Sequence, residues 1–168
     1  MKKSILSIFA IAMVAILALT SCDKQKTQEA FLTREKGWTL STAECPGGLA
    51  MDNDATITNL FDGYVWDCEK DDIIKFNADG YEYLNPGESL CEDQASQEQP
   101  LGKWALDVDG EVLDMQIPFF YDDEVESCTL LNLVKDELKV QYVYTQTAEP
   151  AKTKPGTYTF ILTYVPAK

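Results

Sequence analysis

Residues Cys68–Cys91, CEKDDIIKFNADGYEYLNPGESLC, begin and end with cysteine. Two short apolar runs flank the Asp79–Gly80 step, a dipeptide typical of a tight β-hairpin turn. Because antiparallel strands bring their outer ends together, a disulfide between Cys68 and Cys91 is geometrically easy. The stretch predicts a disulfide-bonded hairpin, and with it an antiparallel fold in an oxidising compartment.

Period-two alternation of apolar residues extends outward from this hairpin along the rest of the chain, and it is clearest from Leu138 to Tyr144 and from Tyr158 to Tyr164. The pattern predicts eight strands, namely 37–42, 72–77, 81–84, 103–108, 112–117, 127–133, 138–144 and 158–164. The Pro-Gly-Gly step in 45–54 predicts a loop. Eight sequential strands predict an all-β, antiparallel, up-and-down β-barrel, with a β-sandwich as the alternative.

The N-terminus predicts export and lipidation. Lys2 and Lys3 precede an apolar stretch, Ile5–Leu19, that is short for a membrane span. The stretch ends in Leu19-Thr20-Ser21-Cys22, which matches a bacterial lipobox. We therefore expect a signal peptide at 1–21, acylation such as palmitoylation on Cys22, a flexible tether over 22–30, and a folded domain over 31–168. The acyl chains would anchor the protein to an outer membrane, on either its periplasmic or its surface face.

The four remaining cysteines are Cys45, Cys68, Cys91 and Cys128, and an exported chain with four cysteines allows three pairings. We expect Cys68 to pair with Cys91 and Cys45 to pair with Cys128. Zinc binding is disfavoured because the chain contains no CxxC spacing.

Composition excludes several functions. The chain has 28 acidic and 14 basic residues, and removing 1–21 leaves 12 basic residues and a net charge near −16. This charge argues against binding nucleic acid. The chain has no histidine, which excludes Ser-His-Asp catalysis and His-ligated zinc. No loop follows the calcium-binding pattern, so no metal is expected. No spacing selects a pair of catalytic carboxylates such as glycoside hydrolysis needs, and we expect no cofactor and no enzymatic activity.

Three stretches resemble a known family: GWTL at Gly37–Leu40, the cysteine-bounded hairpin with its CEKDD start, and LGKWALDVDGEVLDMQI at Leu101–Ile117. Together they resemble the lipocalin-like domains of Bacteroidota lipoproteins. The resemblance implies a calycin-type barrel, and it implies little about function.

Two functions are compatible with such a barrel. The first is binding of a small apolar or amphipathic ligand by inward-facing side chains. The candidate ligand-binding residues are Tyr81, Tyr83, Trp104, Leu106, Tyr142, Tyr144, Tyr158, Phe160 and Leu162. The second is a filled barrel that serves as a structural or protein-interaction domain, with PFFYDDE at 118–124 as its docking tip.

Overall fold

The computed structural model describes residues 24–92, 94–118, 125–147 and 153–168. The predicted signal peptide and Cys22 lie outside these residues. The described chain forms one antiparallel sheet of ten strands with three short helical segments. The strands are β1 (Trp38–Ala50), β2 (Thr56–Asn59), β3 (Ile73–Phe76), β4 (Tyr81–Asn85), β5 (Gln99–Lys103), β6 (Ala105–Leu106), β7 (Val112–Met115), β8 (Glu126–Val134), β9 (Glu137–Gln146) and β10 (Gly156–Pro166).

The sheet curls into a nearly closed barrel, which confirms the all-β, antiparallel, up-and-down prediction. The strand order is β5-β4-β3-β1-β10-β9-β8-β7-β6, and β2 pairs with β1 outside this path. The two ends of the path, β5 and β6, are separated in sequence only by Trp104. The path therefore contains nine strands where eight were predicted. The two ends of the strand path meet because residues 99–106, which form β5 and β6, pair with β4 on one side and with β7 on the other.

The core lies inside the barrel and follows the period of two that antiparallel strands impose. On β9 the side chains of Leu138, Val140 and Tyr142 are buried, and on β10 those of Tyr158, Phe160, Leu162 and Tyr164 are buried. The two strands pair in register over nine residue pairs, from Gly156↔Gln146 to Tyr164↔Leu138. Their inward rows therefore meet along the barrel wall as predicted.

Bulges change which residues face the core. The register of β1 against β10 shifts between Leu40 and Thr42, so Ser41 is an extra residue. Trp38 and Leu40 are buried before this bulge, whereas Ala43 and Cys45 are buried after it. A one-residue bulge inverts the alternation and bends the strand. The bulge thus places Ala43 in the core, although simple alternation predicts Thr42 there.

The predicted loop at 45–54 is wrong over its first half. Strand β1 continues through Pro46-Gly47-Gly48 to Ala50, and the register against β2 shifts between Glu44 and Leu49. Proline and glycine are tolerated in strands at such irregular positions. The strand therefore continues where the composition indicates a turn.

The described part of the predicted tether is helical. Residues 24–32 form α1, and Leu32 at its end is fully buried. The Nε2 of Gln28 donates to the carbonyl of Gly110, and the Nε1 of Trp38 donates to the carbonyl of Leu32 at 3.1 Å. Gly110 has a φ of +65°, and a Cβ there would collide with Gln28. Helix α1 is therefore packed against the end of the barrel that carries the β6–β7 turn.

Two further segments, α2 (Leu60–Gly63) and a 3-10 helix (Asp67–Glu69), lie between β2 and β3. Leu60 and Val65 in this connection are buried in the core. The Asn59 side chain caps α2 by accepting a hydrogen bond from the backbone N–H of Asp62. The 3-10 helix contains Cys68, the cysteine that opens the β3–β4 hairpin.

The disulfide Cys68–Cys91 is present, with a Cα–Cα distance of 5.2 Å. The predicted Cys45–Cys128 pairing is wrong, because both of these cysteines are buried free thiols. Cys45 lies on β1 and Cys128 on β8, and β10 and β9 separate these strands in the sheet. A disulfide needs Cα atoms about 4.4–6.8 Å apart, which neighbouring strands provide and this separation along the wall does not.

Replacing Cys68 and Cys91 together with alanine should lower the free energy of unfolding by about 3 kcal/mol, because the bond closes a loop with a sequence separation of 23. Urea denaturation under oxidising conditions measures the difference. With dithiothreitol present, the wild type should fall to the stability of the double variant. Equal stabilities under oxidising conditions would contradict the prediction.

Candidate functional site

A cavity of about 260 Å³ opens at the end of the barrel opposite α1. Its apolar lining comes from Leu40, Ile74, Leu84, Pro118, Trp66 and the ring of Tyr164. Its polar lining comes from Glu69, Asp72, Glu92 and Gln94, next to Cys91 of the disulfide. The volume is that of roughly nine waters at about 30 Å³ each, which suits one small organic molecule.

Strand register brings the inner wall together. Leu40 on β1 lies opposite Tyr164 on β10, and Ile74 on β3 lies opposite Leu84 on β4. Leu40, Ile74 and Tyr164 are buried, whereas Trp66 is 52% exposed. The buried side chains therefore form the deep end of the cavity, and Trp66 lies at its mouth.

The rim is held by two adjacent carboxylates. Asp71 Oδ2 accepts hydrogen bonds from the backbone N–H groups of Glu88 and Ser89 at 2.8 and 3.1 Å. Asp72 accepts from the N–H of Gly87 and from the Nε2 of Gln94. A Cβ on Gly87 would lie 2.3 Å from the carboxyl carbon of Asp71, so only glycine permits this approach. The acidic pair therefore fastens the loop after β4 beside the cavity.

Two carboxyl groups of the rim, those of Asp72 and Glu69, have raised pKa values. Burial raises the pKa of Asp72 from 3.8 to about 6, and the neighbouring Asp71 and Glu69 raise it further against the hydrogen bonds that lower it. Burial likewise raises the pKa of Glu69. No lysine or arginine lines the cavity among the residues that the structure describes. The negative charge at this rim is therefore only partly offset, by neutral hydrogen-bond donors.

Inside the barrel, three polar groups are buried without a hydrogen-bond partner within the described chain. They are the hydroxyl of Tyr164, Oε1 of Glu82 and Oε1 of Gln116. The other carboxyl oxygen of Glu82 accepts from the backbone N–H of Gln116 at 2.8 Å. Burial raises the pKa of Glu82 to about 8, and burial together with Cys128 and Glu82 raises the pKa of Tyr164. Burial therefore favours the neutral form of both groups at pH 7.

The structure places the predicted candidates Tyr81 and Tyr83 outside the barrel interior. Glu82 is fully buried, and Leu84 on the same face of β4 lines the cavity, so the two tyrosines face outward. The cause is the pairing with β3, in which Glu82 lies opposite the buried Phe76 and Leu84 opposite the buried Ile74. The prediction that Tyr81 and Tyr83 face the barrel interior is therefore wrong.

Trp104 and Leu106 lie near α1 rather than at the cavity. Both line a shallow groove between α1 and the β3–β4 turn. The Nε1 of Trp104 donates to the carbonyl of Asn77 at 2.9 Å, and its ring meets Phe76 edge-on at 5.8 Å. These contacts pack Trp104 against the hairpin turn.

The other five candidates are Tyr142, Tyr144, Tyr158, Phe160 and Leu162. The four aromatic rings lie 6.0–6.4 Å apart in a connected cluster. The hydroxyl of Tyr158 donates to the carbonyl of Lys154, and that of Tyr144 donates to Gln146. The structure brings these residues together as core packing, and none of the five lines the cavity.

The residues that do line the cavity were missed in the sequence because they come from distant segments. One local signal was available, since Glu69, Asp72 and Cys91 all belong to the cysteine-bounded hairpin. Tyr164 belongs to an alternating row that was recognised, but the pattern does not show how deeply its side chain is buried or that its hydroxyl has no partner in the described part of the chain. The predicted docking tip, apart from Pro118, lies outside the described residues.

Within the described ranges, no group of three or more His, Cys, Asp or Glu side chains could hold a metal ion. No helix in the same part of the chain is long and apolar enough to span a membrane. The chain matches no protein-family model, no curated protein and no solved structure.

The buried carboxyl of Glu82 should make stability depend on pH. The unfolded chain releases this proton near pH 4.5, whereas the folded chain keeps it until about pH 8. Stability should therefore fall as the pH rises between these values, by up to roughly 5 kcal/mol, and should level off above pH 8. A Glu82→Gln variant should lack this loss in urea titrations at pH 5, 7 and 9.

The exposed acid Glu111 provides the matched control, and a Glu111→Gln variant should keep the pH dependence of the wild type. The difference between the Glu82→Gln and wild-type curves isolates Glu82 from other titrating groups. Parallel curves for these two proteins would contradict the assignment.

Proposed function

We propose that this chain is a lipocalin-like lipoprotein that binds a small apolar or amphipathic molecule in its barrel, while a lipid anchor at Cys22 holds it to a bacterial outer membrane. The observation that carries the binding proposal is the cavity, whose deep wall is apolar and whose rim is polar. Ligand pockets combine these features, because apolar contact supplies affinity and a few polar groups supply orientation.

The packing of α1 supports a defined orientation on the membrane. Residue 24 is helical, and Lys24 Nζ donates to the carbonyl of Asp109 in the β6–β7 turn. A lipid on Cys22 would be at most about 7 Å of extended chain from Lys24. The α1 end of the barrel would then face the bilayer, and the cavity would open away from it.

The hydrogen bonds of the rim favour binding over catalysis. The Asp72 carboxylate already accepts hydrogen bonds from Gly87 and Gln94, which position the loop. A catalytic acid or base needs to reach the proton that it transfers. Asp72 instead serves as an anchor for the cavity wall.

Binding is testable with N-phenylnaphthylamine, a small uncharged dye whose fluorescence rises in apolar surroundings. The purified chain should bind it in a saturable manner. A Leu84→Trp substitution places a larger ring in the cavity and should weaken binding at least tenfold. Val143→Trp, on the exposed face of β9, is the matched control and should bind as the wild type does.

Circular dichroism checks that each variant folds, and Leu84→Phe serves as a milder block if the tryptophan is not tolerated. Dye that fails to bind the wild type would overturn the proposal. Equal binding by the Leu84 and Val143 variants would place the dye outside the cavity and would also overturn it.

A further inference from the structure

The charge of the cavity rim limits the ligand class. Glu69, Asp72 and Glu92 contribute three carboxyl groups to one lining, which contains no basic side chain within the described residues. Glu92 is exposed at the mouth, whereas Glu69 and Asp72 are half-buried. An anionic head group would be repelled here, because like charges in a partly desolvated site are unfavourable.

The deep end supplies the second observation. Tyr164 lines the cavity, only 1% of its surface is exposed, and its hydroxyl has no partner within the described chain. The hydroxyl is enclosed behind the ring, so the inner end of the cavity presents the apolar ring of Tyr164, in contrast to the acids at the mouth.

Resting on the proposed binding function, we propose that the cavity selects amphipathic cations, small molecules with an apolar body and a protonated amine. The apolar body lies against Leu40, Ile74 and Leu84. The ammonium group faces the carboxylates at the mouth, and the exposed ring of Trp66 beside them can add a cation–π contact. The far end of the ligand packs against the ring of Tyr164.

This orientation follows from solvation. An ammonium group at the mouth keeps part of its water shell while it gains the carboxylates, whereas at the deep end it would meet Tyr164 and apolar side chains. The carboxylates of Asp72 and Glu69 cannot turn inward to follow it, because Asp72 is held by Gly87 and Gln94 and Glu69 accepts a hydrogen bond from the backbone N–H of Trp66. The fixed rim thus determines which end of the ligand enters first.

The test uses three ligands of equal length: 4-phenylbutylamine, 4-phenylbutanol and 4-phenylbutanoate. Each displaces N-phenylnaphthylamine from the purified chain at pH 7.5 and 150 mM salt. We expect the amine to bind at least tenfold more tightly than the carboxylate, with the alcohol between them. Physiological salt screens the general attraction of an acidic protein for cations.

Two variants locate the effect. Asp72→Asn and Glu92→Gln should each reduce the ratio of amine to alcohol affinity at least threefold. The exposed side chain of Glu92 forms no hydrogen bond or ion pair with the described residues of the loop after β4, so Glu92→Gln tests the charge if Asp72→Asn loosens that loop. Asp136→Asn, in the exposed β8–β9 turn, is the matched control and should leave the ratio unchanged.

The outcomes separate the two proposals. Failure of all three ligands and of the dye would overturn the binding function itself. Equal binding of the three, or preference for the carboxylate, would leave binding in place and overturn cation selection. An amine preference that survives both rim variants, or that falls equally with Asp136→Asn, would assign it to overall charge and would also overturn the inference.

Discussion

The pairing of the first strand with the last is the constraint on which the barrel depends. Strand β1 joins β10 from Trp38↔Pro166 to Glu44↔Ile161, and this ladder connects two halves of the sheet that are distant in sequence. Without it the sheet would expose the edges of its two longest strands, and exposed edges promote aggregation. The same ladder sets Leu40 opposite Tyr164, so barrel closure and the deep wall of the cavity arise from one register.

The polar groups inside the barrel are costly for stability. Glu82 is fully buried with a raised pKa, and Tyr164 and Gln116 each keep an oxygen without a hydrogen-bond partner among the described residues. Apolar residues of similar size would remove these penalties, since replacing buried polar groups with well-packed apolar ones is often stabilising. Proteins keep such local violations chiefly at functional sites. The location of Tyr164 at the cavity wall agrees with this expectation, whereas Glu82 lies deeper, near Tyr164 and Cys128.

Local patterns in the sequence predicted much of the fold. The alternating runs of β9 and β10, the Asp79–Gly80 hairpin and the Cys68–Cys91 bond depend on neighbours in the chain or across one turn, and all were recognisable. Prediction failed where register depends on distant pairing. The bulge at Ser41 shifts β1, and the partners Phe76 and Ile74 turn Glu82 and Leu84 inward, so alternation alone assigned Tyr81 and Tyr83 to the wrong face.

The cavity was harder to predict because its lining is gathered from β1, β3, β4, β10 and the connecting segments. The hairpin that predicted the fold also provides Glu69 and Asp72 of the rim, and Glu92 and Gln94 follow directly after it. The disulfide fixes the outer ends of the hairpin, while Asp71 and Asp72 fix the loop between β4 and Cys91 through backbone N–H groups and Gln94. These covalent and polar restraints act on the segment that carries Glu69, Asp72 and Glu92. A rim restrained in this way positions its carboxylates before any ligand arrives, which lowers the conformational entropy lost on binding.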